Sequence, residues 1–161
     1  MASSSFVLKI VIIALPAIFL FAPKVFAESS LIINEIMYDL PGTDATHEWI
    51  ELFNAGSSEI DLTDWKFNDG DDATNHGLNP PPKNGSRGSL IIPPNGYLIL
   101  AGSAETLVYD LPNYNGSVID TVMSLPNTGG VLKSLNKENQ EVAAVSYNKE
   151  TGANGNNKTL E

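Results

Sequence analysis

The sequence predicts an all-β domain, a sandwich or a barrel, and three observations carry the prediction. Short apolar runs recur at roughly ten-residue spacing with turn residues between them. Behind the first 27 residues, no stretch keeps a helical period over eleven or more positions. The absence of long helical connections argues against parallel βαβ units.

The elements follow in order. Leu31 to Tyr38 is a first strand, ended by Pro41-Gly42, and His47 to Asn54 a second, ended by Ala55-Gly56-Ser57-Ser58. Ile60 to Asn68 is a third, broken around Thr63. Leu90 to Pro93 and Tyr97 to Ala101 flank the turn Pro94-Asn95-Gly96. Val118 to Val122 is another strand, and Val131 to Leu135 with Val142 to Tyr147 form a hairpin around a polar loop. The stretch Gly70 to Gly88 breaks this rhythm. Its three consecutive prolines and four glycines predict a connection without ladder pairing, a candidate for surface recognition.

The leader is read separately. Lys9 supplies a positive charge, Ile10 to Ala22 is an almost unbroken apolar run interrupted by Pro16, and Val25-Phe26-Ala27 offers small residues for a signal peptidase. Residues 1–27 are therefore expected to be a secretory signal helix, cut between Ala27 and Glu28. The run is shorter than a bilayer span of about 20 residues. Counting from Phe6 keeps the alternative of an uncleaved membrane anchor through residues 6–22, the one route by which the chain would meet a membrane.

Cleavage removes Lys9 and Lys24 and no acidic residue, leaving seven basic against 19 acidic side chains, a net charge of −12. Such a surface repels phosphate backbones, so nucleic acid is not an expected partner. Residues 28–161 suffice for one domain and one core. There is no cysteine, so an exported chain that is free to use disulfides rests on apolar packing alone. The absence of cysteine also excludes a thiol nucleophile, and two histidines exclude a histidine-rich metal centre.

Ile33-Asn34-Glu35-Ile36-Met37-Tyr38, His47-Glu48-Trp49-Ile50-Glu51-Leu52-Phe53-Asn54 and Asp61-Leu62-Thr63-Asp64-Trp65 together resemble the lamin tail domain, in its bacterial exported form. The likeness continues through Gly96 to Leu100 and Asn127 to Leu132, over roughly residues 31 to 160. It implies an immunoglobulin-like β-sandwich that serves as an accessory, binding or structural module and is no enzyme. The stretch Ala153 to Glu161 looks like the family's approach to its last strand. The domain over 28–161 is accordingly expected to lack that strand and to be a fragment of a longer surface protein.

Several residue groups invite chemistry. Glu35, Glu48 and Glu51 are carboxylates on the first two strands, where paired acids serve acid–base work or metals. Strand alternation puts Glu48 and Glu51 on opposite faces, and no base accompanies them, so structural roles are expected. Replacing Glu51 should then lower stability and leave binding intact. Trp49, Trp65 and Phe53 offer an aromatic platform for sugars, but strand aromatics of this kind, Tyr97 included, read as core or half-buried.

Asp69, Asp71 and Asp72, with Asn68 and Asn75 nearby, are the metal candidate: oxygen ligands on a flexible loop suit calcium. No glutamate closes a twelve-residue loop, and solvated turn acids explain the same letters. No other cofactor is expected. Leu125-Pro126-Asn127-Thr128-Gly129 matches a cell-wall sorting signal. A polar loop and a strand follow where an apolar span and basic tail are needed, so it reads as a turn.

The functional expectation is a non-catalytic secreted or cell-surface module for adhesion, surface assembly or partner recognition, its partner a protein or a surface polymer. The alternative is the targeting domain of a larger secreted hydrolase whose chemistry lies beyond Glu161.

Overall fold

A computed structural model describes residues 30–70, 73–152, 155–156 and 158–161. The expected leader with its expected Ala27–Glu28 cleavage site, and Asp71 and Asp72 of the expected calcium site, lie outside the described residues.

The strands are β1 (Leu31–Met37), β2 (Trp49–Asn54), β3 (Ile60–Asp61), β4 (Lys66–Asn68), β5 (His76–Gly77), β6 (Ile91–Ile92) and β7 (Tyr97–Ala101). After helix α1 (Ala104–Asp110) come β8 (Ser117–Asp120), β9 (Gly129–Leu135) and β10 (Glu141–Asn148). One sheet runs β1-β2-β7-β8, a second β10-β9-β4-β5, and β3 pairs with β6 as a short ribbon.

The two sheets bury their facing sides in one core. Ile33, Ile50, Leu52 and Leu100 from the first sheet share it with Phe67, Leu132 and Tyr147 from the second. The expected sandwich is therefore what these residues form. Tyr38 and Tyr147 meet there with ring centroids 4.7 Å apart, a tilted contact that aromatic pairs favour.

A second apolar cluster lies on the other side of the first sheet, where Ala104 and Leu107 of α1 cover Trp49, Ile99 and Val118. Both faces of β7 are thus buried, which explains why Leu98-Ile99-Leu100-Ala101 is an unbroken apolar run rather than an alternating one.

This helix corrects the sequence reading. β7 and β8 are parallel neighbours, and their connection, residues 102–116, carries α1 across the sheet. A right-length crossover was present after all, but seven residues are too few to register as a period. Local chemistry fixes its ends. The Ser103 hydroxyl accepts the Thr106 N–H at 3.1 Å, an N-cap, and Pro112 disfavours helix at Leu111. Replacing Ser103 with alanine is expected to cost about 1 kcal/mol, read as a lower urea midpoint at unchanged slope.

The Gly70 to Gly88 stretch is a second correction. It does form ladder contacts: His76 pairs with Phe67, and the Asn79 N–H donates to the Asp120 carbonyl at 2.9 Å. Arg87 and Val118 exchange backbone bonds of 2.8 and 3.0 Å. The stretch therefore covers the outer edge of β8, which sheets otherwise leave open to pairing. Gly88 permits this approach. Its φ is +83°, and a Cβ there would lie 2.4 Å from the Ser117 hydroxyl. At the opposite edge, Leu160 exchanges two backbone bonds of 2.9 Å with Ile36 of β1.

Candidate functional site

The outward face of the first sheet presents three rows in register. A bulge in β1 between Ile33 and Glu35 shifts the alternation, so Ile33 and Ile36 both point inward while Glu35 turns outward. The rows are Ile32–Phe53–Tyr97, then Glu35–Glu51–Ile99, then Met37–Trp49–Ala101. Helix α1 covers the third row. The first is left to solvent: Tyr97 is 48% exposed and Ile32 44%. Phe53 and Tyr97 stack with centroids 4.7 Å apart and an interplanar angle of 26°. Tyr97 is therefore more exposed than the core or half-buried role expected of it, whereas Trp49 is buried and Trp65 half-buried against the core.

Between the covered and open rows lies a cleft of about 460 Å³. Met37, Trp49, Ile99 and Leu111 supply apolar walls, and Glu35, Glu51 and Tyr114 supply polar ones. Lys158, Thr159 and Glu161 close one side, with the Thr159 hydroxyl donating to the Glu35 carboxylate.

Glu35 and Glu51 are direct cross-strand partners. Burial pushes the Glu51 carboxyl above its ordinary value, the Glu35 charge adds to this, and the Asn34 amide, donating at 2.9 Å, opposes it. Tyr114 is pushed up to about 12, first by burial and then by the Glu51 charge, against an opposing pull from Arg87. The Arg87 Nη1 is itself buried, without a hydrogen-bond partner among the described residues.

The raised Glu51 value argues for a stability effect opposite to the one expected from the sequence. A group whose folded pKa is raised contributes stability below its unfolded value, and that contribution is lost as pH rises through the folded pKa. Glu51→Gln should therefore melt at or slightly above wild type at neutral pH. The difference should close as pH falls below the carboxyl's ordinary 4.5. A thermal melt across pH checks it; a lower melting temperature at neutral pH contradicts it.

The other candidates do different work. Glu48 is buried, and both its oxygens lie 3.1 Å from the Leu125 N–H, so it does not converge with Glu51, as alternation required. Asp69 is only 2% exposed. Its Oδ2 accepts the Ser124 N–H at 3.0 Å and stands 3.8 Å from His76 Nε2. Its carboxylate thus points into the fold rather than out from a solvated loop. The sorting-signal lookalike is a turn. Leu125 is buried, the Gly129 N–H donates to the Pro126 carbonyl at 3.0 Å, and the Asn127 amide bonds Asp39 and Asp44.

Two features went unread in the sequence. His47 Nδ1 lies 2.7 Å from Asp110 at the end of α1, tying the helix to the approach to β2. The opposition of Glu35 and Glu51 depends on the bulge. Its signal is the apolar spacing Leu31, Ile33, Ile36, Tyr38, where one step of three replaces a step of two.

No curated protein matches the chain. The family model of the Lamin Tail Domain matches residues 24–149, and the strands, the two sheets and their shared core fall within that span. The chain belongs to the lamin tail domain family, whose members are non-enzymatic immunoglobulin-like domains.

Proposed function

We propose that the chain is an exported, non-catalytic binding module of the cell surface, and that it holds a protein or surface polymer on the outward face of its first sheet. The observation that carries this reading is the Ile32–Phe53–Tyr97 row. On the same face α1 buries one end, while this end leaves three large apolar side chains in register across three strands. An open apolar strip of this kind, rimmed by polar residues, marks an interaction surface. Aromatic anchors are also what such surfaces use.

Export rests on the order of charge, apolar run and small residues in the leader. N-terminal sequencing of exported material is expected to begin at Glu28; finding Met1 still attached removes the cleavage claim. The strongly acidic mature chain fits a soluble surface protein that avoids phosphate polymers.

The docking face is tested in the producing cells by an Ile32→Lys/Tyr97→Lys double variant. Its melting temperature should stay near wild type, since both positions are exposed. The fraction retained on the cell envelope, against that released to the medium, should fall several-fold. Unchanged retention by a folded variant overturns the reading.

A further inference from the structure

We propose that the cleft between the Glu35–Glu51 row and the C-terminal turn of α1 receives the cationic head of a lysine or arginine side chain presented by a protein partner. This rests on the binding-module reading and gives its partner a chemistry.

Three observations point to that occupant. Glu35 and Glu51 stand directly opposite one another across an antiparallel ladder, where like charges destabilise. Neither makes an ion pair among the described residues. A cation placed between them turns one repulsion into two attractions. The cleft also has an apolar wall of Met37, Trp49, Ile99 and Leu111, which suits the aliphatic stem of a long basic side chain whose head stays at the polar rim. Trp49 and Tyr114 add aromatic faces of the kind that attract ammonium and guanidinium groups.

Electrostatics select the organic cation over its competitors. Burial already disfavours the Glu51 charge, so the site has a lower effective dielectric than water, and an incoming positive charge is held more strongly there. A bare divalent metal fits less well. Calcium takes six to eight oxygens, and no group of three or more acidic or histidine ligands gathers among the described residues. A phosphate polymer or anionic membrane meets the same carboxylates and a net charge of −12 once the leader is removed, and is repelled. Lys158 and Glu161 at the lip add one charge of each sign, and Arg87 bears on Tyr114.

The test uses Trp49 as reporter in a Trp65→Phe background, titrated with the acetylated, amidated peptide Leu-Lys-Val-Lys-Leu and with its Leu-Gln-Val-Gln-Leu counterpart. The lysine peptide should give a saturable fluorescence change and the glutamine peptide none. Glu35→Gln/Glu51→Gln should weaken binding about tenfold or more. Glu138→Gln/Glu150→Gln, which removes the same charge elsewhere, should weaken it less than about twofold. Amide shifts at residues 35, 51 and 99 of the wild-type protein give the same answer if Trp65→Phe fails to fold.

Equal weakening by the two pairs would reduce the effect to general surface charge and overturn the proposal. So would a response to calcium chloride with none to the lysine peptide. If the peptide is ignored while Ile32→Lys/Tyr97→Lys still releases the protein from the envelope, the cationic assignment fails and the binding-module reading stands.

Discussion

Phe67→Ala is expected to lower the unfolding free energy by about 3–5 kcal/mol. Phe67 is fully buried at the centre of β4, a strand of only three residues. It pairs with Ser134 of β9 on one side and His76 of β5 on the other. The second sheet has few large side chains to send across the sandwich, since β10 contributes Ala143 and Tyr147 and β9 contributes Leu132. Deleting the ring leaves a void that rigid neighbours on both sheets cannot collapse into, so the cavity cost adds to the lost transfer energy. Domains of this size hold about 5–15 kcal/mol in total, and no disulfide backs up the core. The melting temperature should fall by about 10–20 °C, with β5 loosening first because His76 pairs directly with Phe67. A loss below about 1 kcal/mol would place β4 at the periphery instead.

What the sequence made legible follows from physical range. The bounds read from the sequence for β1, β2, β6, β7, β8, β9 and β10 lie within two residues of those observed, because each carries its own pattern: alternation, or an unbroken apolar run, bounded by turn residues. The break expected around Thr63 is real. Asp64 takes a φ of 62°, and the Asp61 carboxylate accepts both the backbone N–H and the hydroxyl of Thr63, so the turn is written into local side chains.

The rest depends on partners distant in sequence. Arg87 pairs with Val118 through backbone groups alone, and a backbone bond leaves no residue type to read. Helix α1 is held by its burial on the sheet more than by its own seven residues, as short helices are. The site was hidden for the same reason. Three glutamates were visible, but which two meet depends on one bulge and on the register of β1 against β2.

Glu48 and Asp69, each one of three carboxylates that the sequence offers as catalysts or ligands, yield the second large prediction. Between β8 and β9 the chain crosses from the first sheet to the second. Past Thr121, whose N–H still donates to the Ala101 carbonyl at 3.0 Å, the backbone at Ser124 and Leu125 lies outside both ladders. Two consecutive N–H groups are satisfied by carboxylates instead. Ser124 donates to Asp69, at the end of β4 in the second sheet, and Leu125 donates to Glu48, at the start of β2 in the first. Carboxylate oxygens accept hydrogen bonds, which suits a buried stretch whose unmet groups are donors. Glu48, Asp69 and Leu125 are all buried, so water cannot replace a lost partner without opening the fold. Glu48→Ala should therefore cost about 2–3 kcal/mol. Glu48→Gln, which keeps one carbonyl oxygen, should cost about half as much. Asp69→Ala should fall in the same range, and the double variant should lose less than the sum, because both residues hold one segment and the first loss already frees it. Urea unfolding of the three variants and the double variant measures this. Strict additivity would show that the two clasps act on independent parts of the chain. A Glu48→Ala loss within about 0.5 kcal/mol of wild type would show that the crossover is held by its buried Leu125 and Met123 side chains, with the carboxylate a bystander.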